Sequence, residues 1–120
     1  MGYNLKSLTT DLQAKNMADE GLVAWGQAGS GSLFGAVGGA FAPMHAISKQ
    51  GNKILITPFS NKQIKFNECV AINKDNIASA KVSGLFGAKL VITAKNGETR
   101  KYSITQGKDA VKKILSLLGL

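Results

Sequence analysis

The sequence predicts a mainly β (α+β) domain: a curved antiparallel sheet or barrel closed by a C-terminal amphipathic helix and preceded by a short N-terminal helix. Three observations predict it. Apolar residues alternate with period two across the stretch from Ile54 to Thr105, an apolar stripe with helical spacing stands at each end of the chain, and no βαβ alternation appears that would build a parallel sheet. With 120 residues and 44% apolar content there is material for one modest core, so residues 1–120 are expected to form a single domain and a multi-domain enzyme is excluded. Aliphatic residues are not depleted and only 18% of residues are charged, which excludes a disordered chain.

Residues 1–20 contain Leu5, Leu8 and Leu12 on one helical face, with few β-branched residues, and a helix ending at Gly21 is expected. Residues 21–48 form an uncharged, apolar segment with six of the fourteen glycines between Gly26 and Gly39. The strands are expected over 49–105. ILITPF reads as a strand in which Pro58 marks an edge position or a bulge near its end. QIKFNECVAI reads as a second strand with Ile64, Phe66, Val70 and Ile72 on its core face and Cys69 on the other. NKDN at 73–76 is a turn, after which Ala78, Ala80 and Val82 are expected to face inward. Asn96-Gly97 between two alternating strands predicts a type I′ turn with two positive-φ residues. Residues 106–119 place Val111, Ile114, Leu115 and Leu118 on one face of a closing helix, with Lys112 and Lys113 off it and Thr105 as the expected N-cap. That apolar stripe can fill the open end of a curved sheet.

The net charge of +8 is unevenly placed. Residues 1–48 carry two lysines against three carboxylates, net −1, whereas residues 49–120 carry thirteen cationic groups against four carboxylates, net +9. Polyanions are the partner class this implies: anionic lipid headgroups, acidic protein or nucleic acid. Fourteen of the fifteen cations are lysine, which favours diffuse attraction over the fixed geometry of an arginine fork. Lys49, Lys53, Lys62 and Lys65 flank the turns around the central strands, and Lys89, Lys95, Arg100 and Lys101 belong to the last hairpin; either set is a candidate polyanion-binding or lipid-surface face. Nucleic-acid binding is the weaker expectation, because Phe59, Phe66 and Tyr102 are expected to face the core, leaving no aromatic to stack bases between the cations.

No catalytic constellation is present. His45 is the lone histidine, so no histidine pair for zinc can be assembled, and Cys69 has no partner that would lower its pKa. Asp19-Glu20 is the one close carboxylate pair and is expected to solvate a helix end. Gly29-Ser30-Gly31 with Gly35 is a weak dinucleotide-binding match that lacks both the βαβ unit and the acidic residue such a loop needs. No metal and no cofactor is expected. Gly31, Gly35 and Gly39 also show small-xxx-small spacing. Three readings of this segment stand: a strand pair joined by a loop, an oligomer contact or interfacial membrane insert, and a spanning or re-entrant segment. Leu33, Phe34, Val37 and Phe41 are the residues that would insert or pack against a second copy. With one cysteine, and with MGYNLKSLTT lacking both a secretory h-region and a myristoylation motif, a cytoplasmic setting is expected, peripheral to the inner membrane face if the basic half docks there.

The stretch ILITPFSNKQIKF, an aliphatic run at Ile54 to Ile56, then Thr57, a polar turn at Ser60 to Gln63, Ile64 and Phe66, resembles the strand-turn-strand of the small bacterial pleckstrin-homology-like (PH-like, GRAM-like) domains. NIASAKVSGLFGAKLVITAKNG is similar to the next block of that family, with Ile77, Gly84, Gly87 and Gly97 carrying the likeness. The resemblance covers about residues 50 to 118, and the family's frequent Arg after the Thr is represented only by Lys62. It implies a PH-like curved sheet closed by a helix, and a non-enzymatic binding or self-assembly module that forms homo-oligomers. The phosphoinositide site of eukaryotic PH domains does not carry over, because the first hairpin here includes the uncharged glycine stretch.

Overall fold

A computed structural model describes residues 4–28, 44–60, 63–83 and 88–120. The chain runs α1 (Leu5–Ala14), β1 (Val23–Ala28), β2 (Met44–Gln50), β3 (Lys53–Phe59), β4 (Val70–Asn73), β5 (Ile77–Ser83), β6 (Ala88–Ala94), β7 (Thr99–Gln106) and α2 (Lys108–Leu117). All seven strands join one antiparallel sheet in the order β4-β3-β2-β1-β7-β6-β5, curled into a half-barrel. β1 is the hinge of this arrangement, pairing with β2 on one side and β7 on the other, with a register shift between Trp25 and Gly26.

The helices bury opposite faces of the sheet. Val111, Ile114, Leu115 and Leu118 of the α2 segment enter the concave side and pack with Ala24, Ile47, Ile54, Ile56, Leu90, Ile92 and Tyr102. The expected stripe therefore fills the half-barrel, and Lys112 and Lys113 remain exposed. On the convex side, Leu8 and Leu12 of α1 cover β1 to β3 in a second cluster with Val23, Ala46, Phe59 and Ile64. At about 1.5–3 kcal/mol per fully buried leucine, these two side chains hold α1 in place. β3 is consequently buried on both faces from Ile54 to Thr57.

Several local expectations are corrected. α1 stops at Ala14 rather than Gly21, because Asn16 adopts φ 58° and the chain returns through a short 3₁₀ turn at Asp19–Gly21. Its N-terminus is closed by a reciprocal cap between Asn4 and Ser7. QIKFNECVAI is not a continuous strand: Ile64 makes a single bridge to Phe59, Phe66–Glu68 is a 3₁₀ turn ending at Cys69, and only Val70–Asn73 pairs with β3. Lys65 N–H donates to Pro58 O at 2.9 Å as part of that bridge, after which the backbone turns, Glu68 N–H donating to Lys65 O and Cys69 N–H to Phe66 O, while the Lys15 ammonium sits 5.2 Å over the Phe66 ring. Val70 is left exposed. Pro58 lies past the end of the β3–β4 pairing but not at a free edge, since it stands opposite His45 of β2 and its carbonyl accepts from Lys65 N–H. In β5 a bulge between Ile77 and Ser79 turns Ala78 outward, so Ile77, Ala80 and Val82 face the core. The last hairpin closes on three residues rather than two. Gly97 N–H donates to Ala94 O and Ala94 N–H to Glu98 O; only Gly97 of the loop has positive φ, 95°, while the Asn96 side chain accepts from Glu98 N–H. Thr105 belongs to β7, and Gly107 takes the N-cap position of α2.

Thr57 is fully buried, and among the described residues its hydroxyl has no hydrogen-bond partner. Replacing it by the near-isosteric valine removes an unpaid desolvation, so Thr57→Val should raise unfolding stability by about 1 kcal/mol in urea titrations.

The return of the chain after α1 is pinned at Asp19, whose carboxylate accepts from Gly51 N–H at 2.8 Å and pairs with Lys49 Nζ at 3.2 Å. The Gly51 hydrogen bond, aided by Lys49, holds the Asp19 carboxyl below its ordinary 3.8 against the opposing effect of partial burial. A depressed carboxyl contributes stability above its unfolded value and loses it as pH falls through the folded one. The stability difference between wild type and Asp19→Asn, followed by urea unfolding, should therefore shrink as pH falls from about 5 toward the folded-state value.

Candidate functional site

The two walls of the half-barrel differ on their outer faces. α1 covers β1 to β3, whereas among the described residues no helix covers the outside of β5 to β7. On this second wall Ile77, Ala80, Leu90, Ile92 and Tyr102 point into the core, so the alternate residues must point out. Besides Ala78 at the bulge, those outward positions include nine: Ser79, Lys81 and Ser83 on β5, Lys89, Val91 and Thr93 on β6, and Thr99, Lys101 and Ser103 on β7.

Register brings three lysines together. Lys81 lies opposite Val91, and Val91 opposite Lys101, so Lys81 and Lys101 flank one apolar residue across three strands. Their Cα atoms are about 10 Å apart by strand spacing. Lys89 is diagonal to both, about 7–8 Å away. Ser83 and Ser103 stand directly opposite Lys89, and Ser79, Thr93 and Thr99 form the adjoining row. Lysines and hydroxyls surround Val91, and no carboxylate occupies an outward position among these nine. The three ammonium groups have no ion-pair partner among the described residues. The arrangement can concentrate anions electrostatically and donate hydrogen bonds from hydroxyls, with nothing to activate a nucleophile.

The eight cations expected from sequence do not gather on one face. Lys89 and Lys101 belong to the lysine triangle. Arg100 alternates to the concave side and lines a separate cleft, while Lys95 sits in the β6–β7 loop. Lys49 is engaged with Asp19 and its side chain is only 13% exposed. Lys53 begins β3 and Lys65 precedes the Phe66–Glu68 turn, both exposed and distant in register from β6. Lys62 lies outside the described residues, as do Leu33, Phe34, Val37 and Phe41 and the glycine motifs at 29–39. Lys81 was missed by sequence reasoning. Its signal was the Ser79-Lys81-Ser83 alternation, which places it outward once Ala80 and Val82 face in.

His45 lies in β2 with its ring 5.5 Å from that of Tyr102, and Cys69 is half-buried at the end of the Phe66–Glu68 turn. Among the described residues no group of three His, Cys, Asp or Glu side chains could hold a metal ion, and no helix is long and apolar enough to cross a membrane. Comparison of the sequence with models of known protein families gives no match, and neither does comparison with curated proteins.

Proposed function

We propose that this protein is a non-enzymatic, PH-like binding module. Its order of strands, with a terminal helix entering the curled sheet, supports that class alongside the sequence resemblance. More particularly, it docks through the outer face of β5 to β7 on an anionic membrane surface.

The observation that carries this reading is the carboxylate-free triangle of Lys81, Lys89 and Lys101 on a sheet face that no described helix covers. A flat array of flexible lysines suits a fluid layer of headgroups, which can arrange itself beneath them, with about 1 kcal/mol per lysine near the surface. A docked protein would be better served by buried aromatic or arginine anchors, and the nine outward positions hold none. Nucleic acid is disfavoured for the related reason that no aromatic is interleaved with the lysines to stack a base.

The test is competition. Vesicles of neutral lipid doped with phosphatidylserine should retain the protein when duplex DNA is added at equal phosphate concentration. Displacement by the DNA would reverse the order of the two readings, and this reading fails if the vesicles never bind at low salt.

A further inference from the structure

Among the described residues the same sheet has two unpaired edges, and the β4 edge is built differently from the lysine face. A cleft of about 180 Å³ lies between β4 and the concave side of β6 and β7. All four residues of β4 line it, Val70, Ala71, Ile72 and Asn73, although successive side chains of a strand point to opposite faces. What the four share is backbone, so the cleft is walled on one side by the strand edge itself.

Alternation identifies the groups that edge offers. Lys74 N–H donates to Asn52 O on the β3 side, and Val70 and Ile72 share its parity. Ala71 therefore directs its N–H and C=O, and Asn73 its N–H, away from β3, where no described strand meets them, the Asn73 carbonyl being the cap of the 3₁₀ turn at Lys74–Asn76. Facing this row are Ile92 and Ala94, which supply an apolar floor, and the guanidinium of Arg100, which forms no ion pair among the described residues. Glu98 is the carboxylate in the lining.

We propose that this cleft takes an extended peptide carrying an acidic side chain, which adds as a strand to β4. Its backbone pairs with Ala71 and Asn73, an apolar side chain rests on Ile92, and the carboxylate meets Arg100. Backbone pairing supplies affinity in such strand addition, and the pockets for alternate side chains supply selectivity. The proposal is independent of the lysine face, which lies on the other side of the sheet.

A titration of the ¹⁵N-labelled protein with the octapeptide Val-Thr-Glu-Thr-Val-Thr-Glu-Thr, whose valines and glutamates share one face of the strand, tests it, with the peptide carrying Lys in place of Glu as control. The Val/Glu peptide should shift the amide signals of Ala71, Asn73, Ile92 and Arg100 and slow hydrogen exchange at Ala71 and Asn73. Arg100→Gln should weaken it at least fivefold. Ala71→Pro should abolish binding while leaving the fold intact, since proline is tolerated where its missing N–H faces away from the ladder. Four results would overturn the proposal: no shift at β4 at millimolar peptide, equal binding of the Val/Lys peptide, binding that survives Ala71→Pro, or shifts confined to Lys81, Lys89 and Lys101. Broadening at β4 that grows with protein concentration and needs no peptide would assign the edge to a second copy of the chain instead.

Discussion

Gly107→Ala should cost about 3 kcal/mol of unfolding stability and lower the midpoint of thermal unfolding by on the order of 10 °C. Gly107 joins β7 to α2 with φ 91°, and its carbonyl accepts the first helical hydrogen bond, from Val111 N–H at 3.0 Å. A Cβ there would lie 2.6 Å from Ala24 Cα and 2.8 Å from Val23 O, both backbone atoms of β1. Two costs combine: about 1–2 kcal/mol for holding an L-residue in the left-handed region, and about 1–3 kcal/mol for overpacking against a backbone that cannot swing aside. Set against a total of about 5–15 kcal/mol, the loss is severe. Gly51 provides the control, because it also has positive φ, 59°, yet a Cβ there meets nothing within 4 Å. Gly51→Ala should show the conformational cost alone, and equal losses in the two variants would mean that β1 and the start of α2 do not approach so closely.

The second large effect concerns the lysine face. At about 1 kcal/mol per lysine, converting Lys81, Lys89 and Lys101 together to glutamine should weaken partition onto anionic vesicles by roughly 100-fold. The three side chains are exposed and belong to neither core cluster, so the variant should unfold at the wild-type midpoint. Because the attraction is between exposed charges, it should also fade as salt shortens the screening length to about 10 Å near 0.1 M.

How much of this could be read from the sequence depended on how local the governing contacts are. The α2 stripe and the Leu8–Leu12 face were legible because a helix writes its buried side into residues three and four apart. The strand assigned across Phe66 was not, because its alternation is real while the backbone turns at Phe66–Glu68, where Lys15 from the distant end of α1 lies over the Phe66 ring. Asn96-Gly97 announced the hairpin correctly but not its loop length, since Asn96 contributes its side chain to Glu98 N–H rather than a left-handed backbone. Thr105 looked like a cap, yet the tight junction with β1 required glycine at 107. The site shows the same division. Lys89 and Lys101 were named as members of one hairpin, while Lys81 joins them only through the β5–β6 register, and Arg100, grouped with them in sequence, is sent to the opposite face by a single step of the pleat.

If a particular face, and not the overall charge of +8, meets the anionic surface, the place of a charge change matters as much as its size. The two cases are separated by co-sedimentation with phosphatidylserine-containing vesicles of two triple variants with the same change in charge. One is Lys81→Gln, Lys89→Gln, Lys101→Gln on the sheet face. The other is Lys108→Gln, Lys112→Gln, Lys113→Gln on the exposed side of α2. The first should stay in the supernatant while the second pellets nearly as well as wild type. Equal loss in both would show that binding follows net charge alone and would contradict the assignment of the β5 to β7 face.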